Sequence, residues 1–330
     1  MADLAGVTTM TVSRFLRAPE QVAPDTAERI RAALARTGYT PNKHAGMLAG
    51  RRSSIVAVLV PSIASSTFSG TLQALSDGLQ PHQLELLLAA TNYDPAREEQ
   101  QIRAVLAWSP SALVVTGRAR TPAASALLRQ AQGCGVPVVQ IWDFDAADTE
   151  FVQIGFSHTK VGELMARHLL QRGHDDLVYV DNSVPNDLRA HARSKAFVRV
   201  ARKAKARVRL LTMPRLDPMA AGRAVLERLL AEGPLPRAMA FSSDFPAAGA
   251  WLLAQEAGIA VPARLAMLGF GDYPIAVQLG SGLTTVDVER QSLGTICAQQ
   301  VLAMLYPDAA ASVALELREV RPRILERGST

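Results

Sequence analysis

Hydrophobic and polar positions alternate in long blocks over most of the 330-residue chain. Continuous apolar runs recur, which is typical of parallel strands buried on both faces of a sheet. The runs span residues 54–61, 84–90, 112–117, 137–143, 177–181, 208–213, 238–244 and 265–272. Helix-periodic segments such as 159–172 and 220–232 separate most of them, so the pattern predicts a doubly wound α/β architecture. About 275 residues is long for one sheet, and we therefore expect two α/β lobes with a ligand cleft beyond the carboxyl ends of the strands.

The first 38 residues follow a different pattern, which predicts three short helices. The first helix spans about residues 2–4 and ends at Gly6, and the second begins after Thr8, a residue suited to cap its free N–H groups. The third helix covers about residues 25–36, with Pro24 suited to the first helical position and Gly38 as the stop. Residues 39–54 are rich in glycine, serine and basic side chains and read as a linker.

The second helix has one apolar face, formed by Val12, Phe15 and Leu16. The opposite face carries small polar groups, a thioether and a guanidinium, from Thr9, Met10, Ser13 and Arg14. Arginine can bind guanine O6 and N7 bidentately in the major groove, and hydroxyl or methyl groups can contact other base edges. This face favours a helix-turn-helix whose second helix reads DNA, and the alternative is an ordinary three-helix cap.

The charge is concentrated at the amino end. Residues 1–54 contain eight Lys/Arg and four Asp/Glu, which accounts for +4 of the formal net charge of +5. A small basic module on a nearly neutral body is typical of a protein that meets a polyanion, although a solvated basic surface explains the charge equally well.

Signatures of other classes are absent from the sequence. Cys134 and Cys297 lie far apart, and the six histidines lack metal-ligand spacing, so neither a disulfide framework, a metal site nor a cofactor is expected. No P-loop, G-x-S-x-G or HExxH motif occurs, and we expect no enzymatic activity, although α/β enzymes can keep catalytic residues in separate loops. Without a signal peptide or a membrane-spanning apolar run, the expected location is the cytoplasm.

Several segments together carry a family resemblance. The stretches "LAGVTTMTVSRFL" and "TAERIRAALARTGYTPNKHAGMLAGRRSSIVAVLVP" closely resemble the lactose-repressor (LacI) family of bacterial transcription regulators, and "IGFSHTKVGELMARHLLQRGHDDLVYV" and "AMAFSSDFPAAGA" extend the similarity over the chain. The combination of "MTVSRFLRAPEQV", "VVQIWD" and "GFGDYPIA" looks most like the gluconate-operon repressor branch.

The resemblance implies three parts: a DNA-binding domain at 1–38, a hinge helix at 39–54, and an effector-binding and dimerisation core at 55–330. The core would resemble periplasmic sugar-binding proteins. Its amino-terminal lobe is expected to comprise about 55–155 plus 286–317, and its carboxy-terminal lobe about 156–285 plus 318–330. Family members usually begin several residues earlier, so we expect that Met1 is not the native start and that the first helix is truncated.

Eight residues fall on DNA-contacting positions of the family. Thr9, Met10 and Arg14 match base-reading positions, whereas Thr8 and Ser13 match phosphate contacts.

Three further matches lie in the hinge. Asn42 corresponds to a backbone contact, and Leu48 to the leucine that family dimers insert into the minor groove. Ala45 suits a close approach of two hinge helices.

Family effectors bind between the lobes. Matching positions here are Phe68, as a wall for the carbon face of the ligand, and Arg193, Ser243 and Asp272. Arg189 lies one helical turn before Arg193 and adds a second cation on the same face. Two guanidiniums suit a carboxylate or phosphate, unless they belong to a solvated basic surface.

A strand expected to end near the cleft contributes further candidates. Gln140 and Asp143 follow this strand, whereas the residues that suit sugar hydroxyls are Asp272 and Ser243. Trp142 could form a wall of the pocket or fill the interface between the lobes.

The sequence therefore predicts a homodimeric repressor that binds a palindromic operator and is released by a sugar acid such as gluconate or a ketogluconate. Two other classes compete with it, a sugar-binding protein without a DNA role and an α/β enzyme that acts on a sugar acid. A regulator that responds to a neutral sugar or another small metabolite is a further alternative.

Overall fold

The computed structural model describes residues 1–39, 53–118, 120–307 and 318–330. The chain divides into two compact units, Met1–Ser53 and Ser54–Thr330. The hinge positions Asn42, Ala45 and Leu48 lie outside the described residues. None of the helices in the described ranges is both long and apolar enough to cross a membrane.

The first unit contains three α-helices around a small apolar core. They are α1 (Ala2–Ala5), α2 (Thr9–Arg17) and α3 (Pro24–Thr37), and a 3-10 turn, Pro19–Gln21, follows α2. The core is formed by one side chain or more from each α-helix, namely Ala5, Val12, Phe15, Ala27, Ile30 and Ala33. Burial of Val12 and Phe15 confirms the inward face that the sequence predicts for the second helix.

Local signals explain where these helices begin and end. The Thr8 hydroxyl accepts a hydrogen bond from the Thr11 N–H at 3.2 Å, which caps α2 as predicted. Gly6 and Gly38 have φ values of 60° and 61°, a left-handed conformation that glycine adopts without steric cost. Each glycine therefore stops the helix that precedes it.

The amino-terminal lobe of the second unit is built on a six-stranded sheet in the order β11-β5-β4-β3-β1-β2. Its strands are all parallel to their neighbours and comprise β1 (Ile55–Val60), β2 (Glu85–Ala90), β3 (Ala112–Thr116), β4 (Val138–Ile141), β5 (Val152–Gly155) and β11 (Arg318–Glu319). Its helices are α4 (Ser66–Leu79), α5 (Pro95–Leu106), α6 (Pro122–Gly133) and α11 (Arg290–Leu305), with a 3-10 turn at Gln80–His82.

The carboxy-terminal lobe repeats this plan with the order β12-β10-β9-β8-β6-β7. The strands are β6 (Asp176–Asp181), β7 (Arg207–Thr212), β8 (Ala238–Phe241), β9 (Ala266–Phe270), β10 (Thr284–Asp287) and β12 (Arg323–Leu325). Only β12, among the described strands, runs antiparallel to its neighbour. The helices are α7 (His158–Gln171), α8 (Leu188–Lys203), α9 (Pro218–Glu232) and α10 (Asp244–Glu256), with a 3-10 turn at Pro274–Val277.

This architecture confirms the predicted fold class. Each of the eight apolar runs contains or overlaps one strand, because a strand covered by helices on both sides needs apolar side chains on both faces. The strands β11 and β12 have only two and three residues, and polar residues interrupt the short strands β5 and β10, so none of the four forms an apolar run in the sequence.

The chain passes between the lobes three times, after β5, after β10 and after β11. Two expected boundaries shift by a few residues. Val286 and Asp287 belong to the carboxy-terminal sheet, because they pair with β12, and not to the amino-terminal lobe. Arg318 and Glu319 belong to the amino-terminal sheet, because they extend it beside β5.

Helices α7 and α8 pack closely at Gly162. A Cβ atom at this position would lie 2.1 Å from the carbonyl oxygen of Arg193, well inside van der Waals contact. The absence of a side chain at Gly162 therefore sets the separation of the two helices.

We expect Gly162→Ala to lower the free energy of unfolding by about 1–3 kcal/mol, because the helices must separate to admit the methyl group. Urea unfolding followed by tryptophan fluorescence measures this change, since Trp108, Trp142 and Trp251 all lie in the second unit. Gly133→Ala is the matched control, because no atom lies within 4 Å of the Cβ it would add. Equal stability of the two variants would contradict the prediction.

Candidate functional site

Helix α2 presents an exposed row of side chains on the side opposite the core of the first unit. Thr8, Thr9, Met10, Ser13 and Arg14 are all exposed, and Met10 is 70% exposed despite its apolar side chain. Met10 is not among the residues that form or pack against the apolar core of this unit. The row has the chemical groups and the spacing along a helix that reading of a DNA major groove requires.

The second candidate site is a cavity of about 320 Å³ between the two lobes of the second unit. Segments that follow the strands of the amino-terminal lobe form one wall, and the start of α8 forms the other. Ligands of open α/β sheets bind at this end of the strands, and the volume lies at the lower end of the range of about 300–1,000 Å³ for small-molecule sites.

A carboxylate and a guanidinium face each other across this cavity. Asp143, which follows β4, has its Oδ2 atom 3.8 Å from Nη1 of Arg189 on α8. Both atoms are buried and have no hydrogen-bond partner within the described ranges. Buried polar atoms are almost always hydrogen-bonded, so this acceptor and this donor are candidates for contacts with a ligand.

The surroundings of the pair keep the space open. Gly117 lies behind it, with φ at 87°, and a Cβ there would lie 3.4 Å from Oδ2 of Asp143. On the other side the Arg189 guanidinium lies 5.5 Å from the centre of the Phe68 ring, a cation–π contact. Phe68 packs edge-on against Trp142, whose ring also packs against Phe156, so Trp142 fills the interior beside the cavity.

His158, at the start of α7, connects the two lobes beside the cavity. Its Nε2 lies 2.9 Å from the Trp142 carbonyl oxygen and its Nδ1 lies 2.9 Å from Nη1 of Arg193. Because the carbonyl must accept and the guanidinium must donate, the ring is neutral with its proton on Nε2. Burial lowers the pKa of His158 well below its ordinary value, and the charges of Arg193 and Arg189 lower it further.

The acidic residue Asp187 caps α8 and lies beside both arginines. Its carboxylate accepts hydrogen bonds from the Ala190 N–H and the Asn182 amide, and it lies 3.8 Å from Nε of Arg189. Burial alone would raise the pKa of Asp187, but Arg189, Arg193 and these hydrogen bonds together lower it. Asp187 is therefore ionised and orients the guanidinium of Arg189.

The pKa of Asp143 is shifted in the opposite direction, upward. Burial raises the pKa of its carboxyl group, and the neighbouring Arg189 and Arg118 offset only part of the increase. The same is true of Glu98, which also lines the cavity and has Arg120 at 3.7 Å.

Tyr93 lines the cavity with a left-handed backbone, φ 57°. Burial and the charge of Asp187 raise the pKa of its phenol to about 12, which leaves a neutral hydroxyl that can donate or accept a hydrogen bond.

The structure brings together some of the residues predicted from the sequence. Asp143 and Arg189 line the cavity, and Phe68 and Arg193 pack against its wall residues. Tyr93, Glu98, His158 and Asp187 were missed. The only signal for Tyr93 was its place in "TNYDP" after an apolar run. His158 and Asp187 gave no signal in the sequence, because their roles depend on partners that are distant in the chain.

Three other candidates have different surroundings. Gln140 is not at the end of a strand but inside β4, where it is buried and outside the cavity lining. Asp272 is paired with Arg327 at 2.7 Å, so its carboxylate is already engaged. Ser243 is half-buried at the start of α10 and forms no capping hydrogen bond there.

Comparisons with known proteins agree with this arrangement. Residues 1–42 match the bacterial regulatory proteins of the lacI family, and residues 166–330 match a periplasmic binding protein-like domain. The transcriptional regulator GntR of Pseudomonas aeruginosa is 35% identical, with 96% of this chain and 91% of that protein aligned. The corresponding regulator of Escherichia coli K12 is 28% identical, with 96% and 94% aligned.

A solved structure gives the same result. The crystal structure of a LacI-family transcriptional regulator from Silicibacter pomeroyi superposes with a TM-score of 0.90 and 30% identity, covering 99% of this chain and 97% of that one. The helical unit and the two-lobed core thus define a DNA-binding transcriptional regulator, and the expectation that the protein is not an enzyme is confirmed. The chain belongs to the LacI family of bacterial regulators.

The protonation of one buried carboxyl group in the carboxy-terminal lobe changes in the mildly acidic range. Asp244, at the start of α10, accepts hydrogen bonds from the Thr285 hydroxyl at 2.5 Å and the Tyr273 N–H at 2.8 Å. Despite both bonds, burial raises its pKa from 3.8 to about 6, and the charge of Asp272 adds to the increase.

We expect Asp244 to make the second unit less stable as pH rises from about 4 to about 6. In that window the unfolded state loses the proton first, which lowers the free energy of unfolding by up to about 3 kcal/mol. Asp244→Asn should lack this decrease, and urea unfolding at several pH values measures the difference from wild type. The exposed control Asp175→Asn should follow the wild-type curve, and an identical curve for Asp244→Asn would refute the assignment.

Proposed function

We propose that this regulator is a repressor that binds a palindromic operator as a homodimer, with α2 in the major groove. Thr9, Met10 and Arg14 would contact bases, and Thr8 and Ser13 would contact phosphates. The observation that carries the proposal is that all five side chains are exposed together on one face of α2, at the positions that match DNA contacts of the family.

Residues 39–54 complete the DNA-binding part of this proposal as a hinge helix. Asn42 would contact the backbone, and Leu48 would enter the minor groove at the operator centre, where an apolar wedge between base steps kinks the duplex. Ala45 would allow the hinge helices of two subunits to approach closely. The similarity of "YTPNKHAGMLAG" to the lactose-repressor family supports these roles.

The operator is first selected from random duplexes with the wild-type protein. Arg14→Ala should then weaken operator binding by about 10- to 100-fold, which corresponds to the loss of one bidentate contact to guanine. Electrophoretic mobility shift measures this loss. Arg36→Ala removes an equally exposed guanidinium from α3 and serves as the control. Equal effects of the two substitutions would show that Arg14 supplies only charge.

The effector in this proposal is a sugar acid that binds between the lobes. Nη1 of Arg189 is a buried cationic donor without a hydrogen-bond partner in the described residues, which suits a carboxylate. Asp143 and the neutral phenol of Tyr93 suit sugar hydroxyls. Resemblance to the gluconate-operon repressor branch supports the same class of ligand.

Ligand binding would couple to DNA release through the lobes. Asp143 belongs to one lobe and Arg189 to the other, so a ligand that bonds to both stabilises one lobe arrangement. A preference of a few kcal/mol for that arrangement is enough to change DNA affinity.

A neutral sugar is the second candidate effector, and a count of charges in the cavity wall favours it. Four acidic residues line the cavity against two arginines, namely Asp94, Glu98, Asp143 and Asp187 against Arg118 and Arg189. Carboxylates are the usual partners of sugar hydroxyls, and an excess of them opposes an anion.

Calorimetric titration with D-gluconate and with D-glucitol, the same carbon chain without a carboxylate, separates the two candidates. Arg189→Gln should lower gluconate affinity at least about tenfold, because it removes a charge-assisted hydrogen bond of about 1.5–3 kcal/mol. The surface variant Arg103→Gln is the control and should bind as wild type does. If the protein binds glucitol more tightly than gluconate, the proposed effector is wrong and a neutral sugar takes its place.

A further inference from the structure

The carboxy-terminal lobe contains a continuous basic segment, of which only the first turn, Leu188 to Arg193, belongs to the effector site. Residues 188–216 include ten Lys/Arg and no Asp/Glu, although the whole chain has a formal net charge of only +5. The segment forms α8, the turn that follows it and strand β7. Such a concentration of one sign of charge on one part of the fold attracts partners of the opposite sign.

A groove of about 880 Å³ runs between α8, β7 and the loop of residues 182–185. Its basic side is a stripe along α8 formed by His191, Lys195, Arg199 and Arg202. Arg199 is paired with Glu163 at 2.6 Å, whereas Lys195 and Arg202 pair with no carboxylate of the described residues. Two exposed cations therefore line the groove without an ion-pair partner in the described residues, and the one acidic residue of the lining, Asp181, is buried.

The groove also has an apolar strip, formed by Val184, Pro185, Val198 and Leu210. Leu210 is 50% exposed, which is unusual for a leucine inside a strand of a parallel sheet. Phosphate contacts with a duplex would use the cations and leave this strip uncovered. The combination fits a protein segment that has both acidic and apolar side chains.

Strand β7 lies at the edge of its sheet, with β6 as its one neighbour there. An edge strand offers free N–H and C=O groups to which an extended segment can add. Arg207 and Arg209 on β7 oppose pairing with a second copy of the same strand, because like charges would meet. Arg207 and Arg209 each already lie 4.0 Å from a carboxylate, of Asp176 and Glu232, so an acidic partner would pair with Lys195 and Arg202 instead.

We propose that this groove docks an extended acidic segment of another protein, whose apolar side chain packs on Leu210 and Val198 while its carboxylates pair with Lys195 and Arg202. The groove is separate from the effector cavity, since the linings have no residue in common. The interaction gives the regulator a protein input besides its ligand.

Fluorescence anisotropy of the full-length protein with a labelled peptide that alternates glutamate with leucine tests the proposal. Lys195→Glu combined with Arg202→Glu should reduce peptide affinity at least about tenfold, because it reverses the complementary charges. Lys203→Glu combined with Lys205→Glu makes the same change in charge just outside the groove and should leave affinity within about twofold of wild type. Leu210→Ser should weaken the same peptide but not one that alternates glutamate with serine.

Three results would overturn the proposal. Equal losses in both charge-reversed variants would indicate an unspecific basic surface. A duplex without operator sequence that displaces the peptide from the wild-type protein, and that the Lys195/Arg202 variant no longer binds, would assign the groove to nucleic acid. A change in sedimentation of Leu210→Ser without peptide would assign it to contact between copies of this chain. Operator binding by all variants confirms that they are folded.

Discussion

A buried ion pair between Asp143 and Arg189 links the two lobes, with Oδ2 of Asp143 3.8 Å from Nη1 of Arg189 and neither atom hydrogen-bonded within the described residues. Polar groups buried in this way cost free energy, and a charge without hydrogen bonds costs several kcal/mol. Under the proposed function, a polar ligand that bonds to both atoms would be an improvement in free energy. Because the two residues belong to different lobes, that improvement acts on the lobe arrangement itself.

The supporting residues limit how this pair can respond. Asp187, which caps α8, forms an ion pair with the Arg189 guanidinium. His158 hydrogen-bonds to Arg193 and to the Trp142 carbonyl of the other lobe. Each of these groups is buried and has a fixed protonation state near neutral pH. His158 is therefore neutral and Asp187 charged, which fixes the charge of these two supporting residues beside the cavity.

The sequence was sufficient for the fold because the signals there are local. Apolar runs marked eight strands, and Thr8, Gly6 and Gly38 marked helix ends through their own conformational preferences. Family resemblance then supplied the order of the domains and part of the cavity. The remaining residues could not be predicted in this way. Tyr93, His158 and Asp187 come together only through contacts between segments that are far apart in the chain. Asp272 is engaged by Arg327, a partner 55 residues away.

The three passages of the chain between the lobes have a consequence for biosynthesis. Each lobe takes its last strand from residues 318–325, so neither sheet is complete until almost the entire polypeptide has left the ribosome. Domains generally fold as units during translation, but these two halves must wait and finish together. No contiguous fragment of the gene encodes a single finished lobe, and dissection of this regulator into separately produced halves would leave each with an open sheet edge.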